Sequence, residues 1–164
     1  MSEKTESGMA FTFNAEHFYS IEEDVFYSKL TSQYHAKVCD FILKKGSGLV
    51  LLEAKSSAPQ DSQRLAAYIH ELQQKFQDSL LTYVAVLHKR KNTRSETITA
   101  EMNAVTNLKG GIKLVVVING MKKAHLPELK TLLERACRKL TFIFSIDAVV
   151  VMNDEQARSR NWVQ

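Results

Sequence analysis

The chain has 164 residues, 45% of them hydrophobic and 24% charged, with a formal net charge of +4. That length buries a sizeable core and suits a single domain over residues 1–164; the composition excludes collagen-like, disulfide-stapled and wholly disordered chains. No apolar run approaches the ~20 residues of a membrane span, and the opening "MSEKTESG" has no apolar signal region, so the expected location is cytoplasmic. The two cysteines, Cys39 and Cys137, sit in apolar patterns and are expected to be reduced and buried. The mild basic excess permits nucleic-acid contact without requiring it.

In chain order, residues 1–13 read as a loose polar start, with "FTF" docking on the body. Residues 15–31 read as a helix, because Phe18, Tyr19, Ile21, Val25, Phe26 and Leu30 spread over one broad face at ~100° per residue. Val38–Leu43 and Leu49–Lys55 read as strands joined by "KKGSG", and "SSAPQDS" reads as a loop. From Gln63, apolar residues recur at spacings of three and four through Leu87, which predicts a helix to about Lys89. "TYVAVL" within it also suits a strand; the helix is preferred. Residues 89–111 are a polar, basic connection. "IKLVVVIN" (112–119) and "IDAVVVMN" (146–153) are continuous apolar runs and so buried strands. Between them Pro127 suits the first turn of a helix through about Leu140. The tail is polar, with one Trp. The expected class is α/β: an antiparallel hairpin followed by parallel strands joined through right-handed crossovers, a mixed sheet flanked by helices.

The hairpin carries charges where a sheet should bury apolar groups. Gly46–Ser47 suits a two-residue type II′ loop, which fixes the register: Lys45 opposite Gly48, Leu43 opposite Val50, Asp40 opposite Glu53. Opposed residues share a face, and Lys55, two beyond Glu53, shares it too. Two carboxylates at such range repel, so the spot calls for a divalent cation or for Lys55 as a structural counter-ion. Both readings stand on the residues alone. The first helix adds a third acid: Glu22 falls near the middle of its apolar arc, where a carboxylate needs a partner. Glu23 lies at the edge and suits a capping box with Ser20. Lys29 also falls in the arc but has a stem long enough to reach solvent.

A helix Glu, then Asp-x12-Glu-x-Lys across a hairpin, then a helix and a strand, resembles the PD-(D/E)xK nucleases over residues 15–119. The resemblance implies a restriction-endonuclease-like fold with an αβββαβ core. One strand of that core is not evident; it is either short and near Thr31–Ala36 or absent. It implies that Asp40, Glu53, Glu22 and the carbonyl of Ala54 hold Mg²⁺ or Mn²⁺, and that Lys55 activates water and stabilises phosphate charge. Cys39 stands where the family has Pro. The Q-x3-Y helix motif of some members fails here, since four residues separate Gln63 from Tyr68; Gln73 is a weaker candidate. The implied activity is DNA phosphodiester hydrolysis in phage defence or DNA repair, by a homodimer or within a larger complex. The alternatives are a non-catalytic relative that binds DNA or a protein as an accessory subunit, and a structural subunit. Lys89, Arg90, Lys91, Arg94 and Arg64 would contact nucleic-acid phosphates, although composition alone makes them solvated surface. The five histidines show no zinc spacing, and no phosphate-binding Gly-rich loop is present.

Overall fold

The computed structural model describes all 164 residues, Met1–Gln164. Its centre is a five-stranded mixed sheet in the order β3 (Phe18–Tyr19), β4 (Phe41–Lys45), β5 (Gly48–Lys55), β6 (Ile112–Ile118), β7 (Ile146–Asn153). β3, β4 and β5 pair antiparallel; β5, β6 and β7 pair parallel. Parallel neighbours need crossovers. These are α2 (Ser62–Leu87), and then α3 (Leu126–Ala136) with α4 (Arg138–Phe144).

The hairpin register follows from its turn. Lys45 pairs with Gly48 and Leu43 with Val50, as the two-residue loop requires. Gly46 has φ 61 while Ser47 does not have positive φ, the signature of a type II′ turn. Period-2 alternation then divides β5 between two cores. Leu49 and Leu51 face α2 and α3, packing with Leu72, Phe76, Leu80 and Leu133. Val50, Leu52 and Ala54 face the opposite side.

That opposite side is covered by a second hairpin. β1 (Ser2–Glu6) and β2 (Met9–Phe13) form a two-stranded antiparallel sheet in place of the expected loose start. β2 alternates buried and half-buried residues, and Met9, Phe11 and Phe13 pack on Phe41, Leu43, Val50 and Leu52. "FTF" does dock on the body, as a strand. The C-terminal tail joins this layer. Asn153 caps the short α5 (Asp154–Ser159) through a capping box with Gln156, and the amide of Gln164 donates to the carbonyl of Ala10.

The expected helix over 15–31 does not form. The segment breaks into single 3₁₀ turns at Ala15–His17 and Ile21–Glu23, the short strand β3, and α1 (Tyr27–Tyr34). Phe18 and Tyr19 pair with Leu43 and Ile42, so sheet hydrogen bonds take the residues that a helix would have used. Ser20 makes no capping bond, and Glu23 pairs instead with Lys4 of β1. The region Thr31–Ala36 supplies no strand; β3 lies beside β4 instead. The strand expected at Val38–Leu43 is shifted to Phe41–Lys45, and the helix from Pro127 is divided at Cys137. Residues of "TYVAVL" are helical, within α2. Both cysteines are free and buried, and burial pushes each thiol up to about 12. No helix is long and apolar enough to cross a membrane.

Candidate active site

Glu53 and Lys55 lie on the α2 side of β5, two residues apart on one face of the strand. Asp40 stands one residue before β4, opposite Glu53 when the register Phe41–Leu52 is continued. Its Oδ2 accepts a 2.7 Å hydrogen bond from the amide of Ala54, which ties it to β5. Glu53 is 1% exposed, and its Oε1 meets two ammonium groups: Lys75 Nζ at 2.6 Å and Lys55 Nζ at 3.1 Å. Lys55 is also held by Glu71 Oε1 at 2.9 Å and lies 5.8 Å from the centre of the Tyr68 ring. Lys37 approaches the same Glu71 at 3.9 Å.

Tyr68, Glu71 and Lys75 all come from α2. Asp61 starts that helix, its side chain accepting from the amide of Arg64 at 2.9 Å. Spacings of three and four put the three residues on one stripe. That stripe runs beside Leu72 and Phe76, whose burial seats α2 on the sheet and so sets its distance from β5.

The electrostatics are those of a crowded, partly dry site. Burial, and then the repulsion of Asp40, push the Glu53 carboxyl up to about 7 despite the pull of Lys75 and Lys55. Asp40 is raised by burial, and the Ala54 amide and the two lysines offset part of the rise. Burial lowers Lys75, but the attraction of Glu53 and Asp40 outweighs it and holds the ammonium charged. Glu71 is lowered by its hydrogen bond from Lys55. Two buried side-chain atoms in the chain have no hydrogen-bond partner, Glu53 Oε2 and the Tyr68 hydroxyl, and both belong to this cluster. Leaving such an atom unsatisfied costs ~1–3 kcal/mol, which a fold tolerates where a ligand or water completes the site.

Other acids approach from the rim. Glu22 is exposed in its 3₁₀ turn, not central on a buried helix face, yet burial of its carboxyl and the charge of Asp40 both raise it. The buried acid of that segment is Asp24, which accepts from Tyr19, from the Ser95 hydroxyl at 2.6 Å and from the amide of Glu96 at 2.9 Å. Glu6, at the end of β1, is raised by burial and then by Asp40 and Glu22. The adjacent Ser7 donates its hydroxyl to the Ala54 carbonyl at 3.1 Å, so that carbonyl already has a partner.

The sequence-predicted residues are therefore only partly gathered. Asp40, Glu53, the Ala54 carbonyl and Lys55 converge, with Glu22 at the rim. Gln73 does not join them; it donates to Gln77 on the exposed side of α2. Lys89, Arg90, Lys91 and Arg94 are exposed just past the far end of α2, 14 residues from Lys75 for Lys89, or ~21 Å along a helix axis. Arg64 is exposed in the first turn and faces Asp61 at 3.5 Å. Lys75, Glu71, Tyr68 and Glu6 are additional members. The helix stripe Tyr68–Glu71–Lys75 was readable from its spacing; Glu6 was not. A surface cleft of about 470 Å³ opens between the first turns of α2 and α3 and is lined by none of this cluster.

No three His, Cys, Asp or Glu side chains form a ready-built metal centre. Mg²⁺ characteristically takes only one or two carboxylates and keeps several waters. Asp40 and Glu53 are such a pair of hard oxygen donors, and the unpartnered Glu53 Oε2 is an oxygen with ligand capacity to spare. The donor set thus fits a divalent cation. Compared with protein-family models, with curated proteins and with solved structures, the chain matches none.

Proposed function

We propose that the chain is a metal-dependent nuclease with a restriction-endonuclease-like fold, hydrolysing phosphodiester bonds in DNA with Mg²⁺ or Mn²⁺. The observation that carries the reading is the buried Glu53. It is opposed by Asp40, held through one oxygen by two lysines, and left with its other oxygen unpartnered. A plain structural ion-pair network would satisfy both oxygens, because an unmade bond in a buried network costs more than it gives.

Asp40 and Glu53 would hold the cation. When bound, Mg²⁺ would acidify a water and neutralise charge on phosphoryl oxygens. Lys55 is no ligand, since an ammonium has no lone pair. Its Nζ, beside Glu53 on the same strand face, would donate to a non-bridging phosphate oxygen or orient the attacking water. Glu71 fixes the direction of that side chain from the other side. Glu22 and Glu6 add negative charge at the rim, which raises the attraction for a cation. The basic segment Lys89–Arg94, ~20 Å away, would track backbone phosphates flanking the cleaved one.

The test is incubation of the protein with plasmid, linear and branched DNA, with and without Mg²⁺ or Mn²⁺, beside Asp40→Ala. Metal-dependent cleavage by the parent and none by the variant is the expected result. Absence of cleavage on every substrate, together with no metal binding by calorimetry, would leave the cluster as a structural network.

A further inference from the structure

We propose that Lys75 is a second catalytic lysine, contacting a non-bridging oxygen of the scissile phosphate from the α2 side while Lys55 approaches from β5. The inference rests on the nuclease reading above.

The geometry makes the two lysines equivalent in reach. Both ammonium groups end on the same carboxylate oxygen, Glu53 Oε1, Lys75 at 2.6 Å and Lys55 at 3.1 Å. Their engagement differs. Lys55 is divided between Glu53 and Glu71, so two carboxylates compete for its charge. Lys75 has one carboxylate within ion-pair distance, and that carboxylate keeps its other oxygen free. Lys75 therefore has fewer carboxylate partners than Lys55, although its contact to Glu53 is the shorter. Its side chain is 17% exposed, close to the 20% of Lys55.

Position on the helix makes the residue conspicuous. Lys75 precedes the fully buried Phe76 and follows the fully buried Leu72 by three residues. At the margin of that stripe an apolar side chain would extend the core without a desolvation cost. A charged group kept there needs a partner, and Glu53 provides one; Asp40 adds its field. Neutralising Glu53 does not by itself require Lys75, because Lys55 already meets the same oxygen.

In the reaction the water oxygen bonds to phosphorus, the ester P–O bond breaks, the water's proton passes to solvent, and the leaving oxygen takes a proton from solvent. Charge accumulates on the non-bridging oxygens, where a fixed donor lowers the barrier. Lys75 would donate there through an N–H and keep its proton throughout.

The test uses full-length parent, Lys75→Arg, Lys75→Gln and Asp40→Asn, reading Mg²⁺ binding by calorimetry and DNA cleavage under single turnover. Lys75→Arg keeps the charge that the fold needs but not the compact ammonium geometry, so it remains informative even when Lys75→Gln fails to fold. Expected are a cleavage rate at least ~10-fold lower for Lys75→Arg and ~100-fold lower for Lys75→Gln, with Mg²⁺ affinity unchanged or tighter. Lys75→Arg cleaving at the parent rate would overturn the proposal. So would loss of Mg²⁺ binding in step with loss of cleavage, since Lys75 would then act only by holding Glu53. Either result leaves the nuclease reading intact as long as the parent cleaves and Asp40→Asn does not. A parent that neither binds Mg²⁺ nor cleaves overturns both.

Discussion

Glu53→Gln separates a site shaped for a ligand from a network shaped for stability. In the unfolded chain the carboxyl titrates near its ordinary 4.5; in the fold it is pushed up to about 7 by burial and by Asp40. A group raised in this way contributes stability that is complete below pH 4.5 and is lost as pH rises to about 7, because the unfolded chain releases the proton first. The shift corresponds to about 3 kcal/mol, with the attraction of both lysines already counted in it. Glutamine mimics the protonated acid. Without metal, Glu53→Gln is therefore expected to match the parent near pH 4.5 and to exceed it at pH 8, by up to roughly 6–12 °C in Tm for a chain of this length. Thermal unfolding in EDTA across that pH range measures it. Adding millimolar Mg²⁺ at pH 8 should raise the parent's Tm well above any rise in the variant's, since the variant keeps Asp40 but lacks the second carboxylate. A Glu53→Gln protein less stable than the parent at pH 8 without metal would refute the reasoning. The pairs with Lys75 and Lys55 would then outweigh the cost of burial, as in a structural network.

Three further outcomes follow from the same geometry. Lys55→Ala should keep Mg²⁺ binding by calorimetry while losing most plasmid cleavage, because its ammonium is beside the acids without being a ligand. Asp24→Ala strips the partners from Tyr19, Ser95 and the Glu96 amide, and should cost ~3–5 kcal/mol in urea denaturation while loosening residues 95–97 to proteolysis. Replacing Lys89, Arg90, Lys91 and Arg94 by Ser should weaken DNA binding and flatten its salt dependence in filter binding, leaving Mg²⁺ affinity unchanged.

Local chemistry made part of this molecule legible. Gly46–Ser47 dictated a turn, the turn dictated a register, and the register put Asp40 opposite Glu53 with Lys55 on the same face. The apolar runs at 112–118 and 146–153 read as buried strands and formed them, and the three-and-four period of α2 favoured one long helix over a strand at "TYVAVL". Each of these signals lies within a few residues of what it specifies. Where a segment's fate depended on distant partners, the sequence was ambiguous or misleading. Phe18–Tyr19 carries a helical spacing but is recruited as a strand by Leu43 and Ile42, and this converts the expected helix acid Glu22 into a rim residue. Met9–Phe13 alternates as a strand does, yet only the apolar face of Phe41, Leu43, Val50 and Leu52 gives that alternation something to bury against. The same holds for the second lysine. The stripe Tyr68–Glu71–Lys75 is written in α2, but its meeting with Glu53 was decided by how Leu72 and Phe76 seat the helix on β5. Packing between elements remote in sequence sets those distances, and no local pattern encodes them.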